Sequence, residues 1–314
     1  MPINRFMATT LKSSKRQKYR PKVGRQITEK VIEIILFLAA FSSVATTVAI
    51  LYILTSESVS FFKQIPIIDF LTGTKWTPLF QNPQYGILPL LSGTLMSAGV
   101  ALSVAIPLGT IAAIYLSEFA NSKFREIAKP ALELLAAIPT VVYGYFALLY
   151  VTPFLQNIFP KLPGFNILSA GLVMGLMIIP FISSISEDAM SGVPVGLREG
   201  SYAMGATKLQ TALKVVFPAA ISGISSSYIL GTSRAVGETM IVAIAAGLRP
   251  NLTWNPFDQA ATITAFIVQV SLGDLPHGTI AYQTIFAAGL TLVLMTLLLN
   301  IIGHFLAKKY REIY

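Results

Sequence analysis

Two charged residues, Arg234 and Glu238, lie within the otherwise apolar run "SYILGTSRAVGETMIVAIAAG". An ionised side chain at the centre of a bilayer costs on the order of 2.5–3.5 kcal/mol on insertion scales, so such residues have a reason to be there. Arginine keeps its charge at any working pH and offers an oxyanion a planar fork of donors. A glutamate four residues on would hold that arginine when no anion is present, or accept a proton from a protonated anion. At about 100° per residue, Gly223, Ser227, Gly231, Arg234 and Glu238 fall within roughly 80° of one helix face. That face is small, polar and charged, whereas the opposite side, with Ile229, Val236 and Ala243, is aliphatic. Two readings stay open. The face lines a wet anion path carrying Arg234, Glu238 and Ser227, or it packs on a partner, with Arg234 and Glu238 forming a buried ion pair.

A second stretch, "REGSYAMGATKLQTALKVVFPAAISGI", is polar and sits between two apolar segments. Pro194 is placed to start a short helix that runs to Gly205, where it breaks or turns. "ATKLQTALKVV" reads as a second short helix with Thr207 as its N-cap, and Pro218 opens the next apolar segment. Two short helices joined at a glycine form a knob tied to two spans. Such a knob transmits force from whatever binds it, or it is an ordinary interfacial loop.

The elements that position these residues are membrane spans. The 314 residues are 54% hydrophobic and 12% charged, and the mean hydropathy is +0.68. Soluble domains carry about 25% charged residues. A span needs roughly 20 apolar residues, and six segments qualify: 31–55, 87–117, 131–152, 166–186, 219–247 and 280–306. Strand-period alternation is missing, which argues against a β-barrel. With the N-terminus inside, eighteen of the 23 Lys and Arg fall on inside segments (1–30, 118–130, 187–218 and 307–314) and four on outside ones. The positive-inside rule then puts both termini and the knob in the cytoplasm. Residues 1–30 hold nine Lys and Arg and read as a disordered tail lying on anionic lipid, not as a nucleic-acid arm.

The spans are not smooth rods. Pro107 and Gly109 interrupt the second, Pro139 and Gly144 the third, and Gly171 and Gly175 form a GxxxG in the fourth that permits close helix contact. Among the outside segments, 56–86 holds Lys75 and Trp76. It reads either as a headgroup belt or as a docking surface for an external protein.

Glu199, Gly205, Val215 and Pro218 resemble the EAA motif of ABC importer permeases, Glu-Ala-Ala, three residues, Gly, nine residues, Ile-x-Leu-Pro. Here Gly200 and Ser201 replace the alanines, and Val215 and Phe217 replace Ile and Leu. "IPLGTIAAIYLSEFA", "ELLAAIPTVVYGYFALLYVTPF", "IIPFISSISEDAM" and "SRAVGETMIVAIAAG" are similar to permeases of the phosphate-specific transport system, more to the PstC-type than to the PstA-type subunit. The similarity covers residues 31–306. The resemblance implies an all-α type I (MetI-like) transmembrane domain of six helices in a bacterial inner membrane. It implies coupling to an ATPase through Glu199, Gly205, Ala206, Thr207, Lys208 and Pro218. It also implies a PstA-type second permease, a PstB-type ATPase dimer that holds ATP and magnesium, and an extracytoplasmic PstS-type phosphate-binding protein. The R-x-x-G-E-T pattern, here Arg234, Gly237, Glu238 and Thr239, is associated in that family with the phosphate pathway.

Other classes fit poorly. There is no Gly-Lys dipeptide and hence no Walker A loop, so ATP belongs to another chain. A secondary anion transporter would have no use for the knob. An intramembrane enzyme would need a G-x-S-x-G or H-E-x-x-H constellation, and neither occurs. With no cysteine and two distant histidines, His277 and His304, no metal centre is expected. An arginine in a span suits sulfate, molybdate or phosphate equally, so phosphate rests on the resemblance.

Overall fold

The computed structural model describes residues 23–273, 276 and 278–309. The basic residues 1–22, His277 and the last residues 310–314 lie outside the described residues. The chain divides between Ile53 and Leu54. The first unit is the greater part of α1 (Val23–Phe62), an apolar helix whose side chains are exposed from Thr28 to Ile53. The tail expected to reach residue 30 is therefore helical from Val23.

From Leu54 onward the chain is a helical bundle. In order it comprises α2 (Ile67–Thr72), α3 (Leu88–Ile114) ending in a π-helical turn Tyr115–Phe119, and α4 (Ser122–Ala137). A third span follows from α5 (Thr140–Phe146), a π turn Ala147–Val151 and α6 (Thr152–Ile158), then α7 (Ile167–Ser191). The knob is α8 (Val195–Ala203), α9 (Lys208–Thr211), a π turn Ala212–Val216 and α10 (Phe217–Ala219). The remainder is α11 (Ile221–Val236), α12 (Met240–Ala245), α13 (Ile263–Ser271) and α14 (Ile280–Lys309). Among the described residues five helical stretches are long and apolar enough to cross a membrane. The pair Lys208–Ala219 and Ile221–Val236, bent by 73°, makes a sixth if it counts as one span.

Two spans differ from the expected ones. The third runs over Thr140–Ile158, not 131–152. Ile138 and Pro139 are extended, with ψ of 132° and 135°, because a residue before proline is pushed out of the α region. The charged stretch 122–137 thus forms a separate amphipathic helix. The expected fifth span, 219–247, bends at Ala220 and breaks again at Gly237–Thr239 before α12.

Helix α7 is the axis of the bundle. Its Met174, Met177, Ile178 and Ile182 are fully buried, against Ala101 and Ala105 of α3 and Ile241 and Val242 of α12. The GxxxG face does what its spacing implies. A Cβ at Gly171 would lie 2.6 Å from the Val100 side chain, and one at Gly175 would lie 2.8 Å from the Ala101 carbonyl oxygen. Backbones approach this closely only where Cβ is missing.

At the bundle end away from α8, Phe61, Phe70, Trp76 and Phe266 form an aromatic core. Trp76 is 2% exposed, its ring 5.0 Å from that of Phe266. This corrects the reading of Trp76 as a headgroup anchor. Gly73 and Gly86 pack backbone to backbone, and Thr77 N–H donates to the Gln84 carbonyl at 2.8 Å. The loop folds back on itself there and turns the indole inward, leaving Lys75 exposed.

Candidate functional site

Much of the small face of α11 forms a seam against α7. A Cβ on Gly223 would meet the Ala189 Cβ at 2.4 Å, and one on Gly231 would lie 3.2 Å from the Ile182 side chain. Between them the Ser227 Oγ lies 2.8 Å from the Ser186 Oγ, and Ser227 is fully buried. Two further polar ties hold the same helix: Tyr228 to Thr110 of α3 at 2.7 Å, and Ser233 to Asn300 of α14 at 2.7 Å. The tie to Thr110 satisfies the Tyr228 hydroxyl, which lipid would leave unmet.

Arg234 stands at the far end of this seam. Its guanidinium carbon lies 4.1 Å from the centre of the Phe181 ring, and Nη2 is 3.8 Å from the Met177 sulfur. Its Nε is buried and has no hydrogen-bond partner. No carboxylate lies within ion-pair distance of Arg234 among the described residues.

Glu238 is not on that helix, and the expected ion pair is not formed. Gly237, at φ −85° and ψ −3°, ends α11. The chain starts α12 three residues later, and the Glu238 Oε1 accepts from the backbone N–H of Met240 at 3.0 Å and of Ile241 at 3.2 Å. The first amides of a helix have no partner of their own, and in an apolar core they need one. Glu238 supplies it, is 8% exposed, and is itself anchored where Thr264 donates to its carbonyl at 2.7 Å. The shared face therefore ends at Arg234, because the helix does.

The knob takes the shape that its proline, glycine and threonine dictate. Pro194 caps α8. Gly205 turns the chain at φ +81°, in the left-handed region where glycine carries no Cβ penalty. Thr207 and Gln210 form a reciprocal capping box that starts α9. Glu199 and Lys208 are exposed, Ala206 and Pro218 half-buried. Val195, Met204 and Leu209 present an apolar outer surface, with Met204 89% exposed. The six residues expected to take part in coupling thus lie in one continuous segment.

Sequence reading missed the charges that tie this segment to the spans. Arg198 of α8 reaches the buried Glu118 at 2.8 Å. Lys129 of α4 bridges Glu187 at 2.8 Å and Asp188 at 2.5 Å near the end of α7. Hydrogen bonds from Lys129 to Asp188 and then to Glu187 raise the lysine above its ordinary 10.5, against the opposing effect of burial. The available signal was an acidic residue near the end of a span, Glu118 and Glu187, which demands a cation from elsewhere in the chain.

Among the described residues no group of three or more His, Cys, Asp or Glu converges. His304 lies exposed on α14, beside Ser222, Ser226 and Lys308.

Residues 105–312 match the family described as "Binding-protein-dependent transport system inner membrane component". The chain is 35% identical over 288 residues to the probable ABC transporter permease protein YqgH of Bacillus subtilis, covering 91% of this chain and 93% of the relative. It is 33% identical over 264 residues to the phosphate transport system permease protein PstC of Haemophilus influenzae, covering 78% and 82%. Among solved structures it resembles a bacterial ABC transporter involved in the import of the acidic polysaccharide alginate, with TM-score 0.62 and 15% identity, covering 91% of this chain and 99% of that one. It also resembles the MetNI methionine ABC transporter, with TM-score 0.54 and 21% identity, covering 72% and 95%. At these identities the structures bear on the fold alone.

Proposed function

From the premise that the chain belongs to the binding-protein-dependent transport system inner membrane components, and is an ABC importer permease subunit, we propose that it forms half of a pathway for inorganic phosphate. The single observation carrying this reading is Arg234, a fixed cation within the bundle whose guanidinium has no carboxylate partner among the described residues and whose Nε is buried without an acceptor. A guanidinium left in that state offers hydrogen bonds that an oxyanion completes. Phosphate is favoured over sulfate and molybdate by the similarity to PstC-named permeases.

In this reading a PstA-type permease supplies the other half of the pathway. A PstB-type ATPase dimer, loaded with ATP and magnesium, docks on α8–α10 at the cytoplasmic face, where the exposed Met204 and Leu209 meet it. A PstS-type binding protein delivers the anion from outside, and both termini are cytoplasmic. Ser227 acts through the α7 seam and Glu238 through the α12 cap, so that Arg234 is the one residue of the three that meets the anion.

The test is anion-stimulated ATP hydrolysis by the reconstituted complex. With loaded binding protein, phosphate is expected to stimulate hydrolysis and sulfate is not. Arg234→Gln should abolish uptake while the complex still co-purifies. Equal stimulation by sulfate would assign another oxyanion, and wild-type uptake by Arg234→Gln would remove the arginine from the path.

A further inference from the structure

Helix α3 does not end in an α turn. It runs on into Tyr115–Phe119, which are π-helical, a rare local form that is frequent at functional sites. Other elements grip this turn at successive residues. Arg125 of α4 donates through Nη2 to the Leu116 carbonyl at 2.8 Å and to the Ser117 carbonyl at 2.7 Å. Lys208 of α9 stands 5.3 Å from the centre of the Phe119 ring.

The central grip is Arg198 of α8. Its Nη2 donates to the Glu118 Oε1 at 2.8 Å, and its Nε lies 3.3 Å from both carboxylate oxygens. The same guanidinium holds the end of α7 through the Met190 carbonyl at 2.8 Å and the Val193 carbonyl at 2.6 Å. Helix α8 has no fully buried side chain; Leu197 is half-buried against Met190 and Val193. Glu118 is 8% exposed, so salt screens the pair little. A planar fork held at several points fixes direction as well as distance.

We propose that the Arg198–Glu118 pair is the joint through which displacement of α8 reaches α3 and α7 together. This rests on the coupling reading of α8–α10 and adds to it the path by which movement enters the spans. Besides Arg198, α8 is held by half-buried Leu197 and by Ser201 against Thr211 of the knob, and neither of these contacts reaches α3 through a charge. One guanidinium tied to the ends of two interlocked spans turns a push on α8 into a shift of both.

The test uses the full complex in proteoliposomes and reads ATPase co-purification, hydrolysis rate and anion taken up per ATP. Arg198→Ala and Glu118→Ala are expected to keep the ATPase bound and hydrolysing while uptake per ATP falls about fivefold or more. The chain has no cysteine, so Glu118→Cys/Arg198→Cys joined by a short bis-maleimide, each thiol adding across one maleimide double bond, is expected to restore uptake per ATP, whereas neither single cysteine does with the same reagent. Wild-type uptake per ATP in the alanine variants would overturn the joint. So would loss of ATPase co-purification, which would make Arg198 part of the docking surface only, or failure of the linker to restore coupling. Met204→Asp tests the reading underneath: an ATPase that still binds this variant at full strength would refute docking on α8–α10 whatever the joint does.

Discussion

The Arg234 guanidinium carbon lies over the Phe181 ring of α7, 4.1 Å from its centre, and this contact takes the place of the ion pair expected with Glu238. An aromatic face stabilises a cation without neutralising it, by about 0.5–2 kcal/mol. The charge therefore stays available to a ligand, which a carboxylate partner would have prevented. Phe181→Leu keeps an apolar side chain and removes the ring. Half-maximal uptake should then require roughly twofold to thirtyfold more anion, with Phe181→Tyr close to wild type. The concentration dependence of uptake in proteoliposomes measures this, and an unchanged curve for Phe181→Leu would dismiss the ring's role.

Glu238 caps α12 with one carboxylate oxygen. A glutamine amide oxygen accepts the same two bonds, so Glu238→Gln should transport at close to the wild-type rate. Glu238→Ala leaves two buried amides unmet, at about 1–3 kcal/mol each, and should lower both the thermal stability of the purified complex and its uptake. An equal loss in both variants would instead mean that the negative charge matters and the cap does not.

Gly205 has open space where a Cβ would go, yet its φ of +81° disfavours one. Left-handed backbone costs an ordinary residue about 1–2 kcal/mol, and asparagine tolerates it better than a β-branched residue. Gly205→Asn should couple nearly normally. Gly205→Val should insert at wild-type yield and lose ATPase docking or uptake per ATP. Normal coupling in Gly205→Val would show that the turn is dispensable.

The tie between Lys129 and the end of α7 has a defined pH window. Its partners raise the lysine above 10.5. The stabilisation is thus complete below that ordinary value and is lost only as pH rises through the raised one. Protease access to residues 122–137 should stay constant from neutral pH to about pH 9.5 and increase only at stronger alkalinity. Lys129→Met should show the open pattern at neutral pH already. An opening of the wild-type segment near pH 8 would contradict this ion pair.

Spans and knob are legible in the sequence because hydropathy, proline and glycine act locally. Pro194, Gly205 and Thr207 announce a cap, a turn and a cap, and each is found there. The break at Gly237 is not legible in the same way. Apolar sequence continues through it to Ala246, and only the need to cap α12 shows why the helix stops. Arg198 and Glu118 are 80 residues apart, and nothing near either one names the other. Trp76 misled for a related reason: an aromatic beside a lysine suits a membrane interface, and only the approach of Gly73 to Gly86 turns it inward.

The Gly171–Val100 contact also limits how this chain is free to drift. A Cβ at position 171 lacks room while Val100 keeps its branched side chain; with a smaller residue at 100, alanine at 171 needs only a shift of a few tenths of an ångström from the Ser97 carbonyl, 3.3 Å away. Gly175 has no such remedy, because its obstacle is the Ala101 carbonyl, which every residue type carries. Position 171 is open to paired exchange of volume across the helix boundary, and position 175 is closed to it.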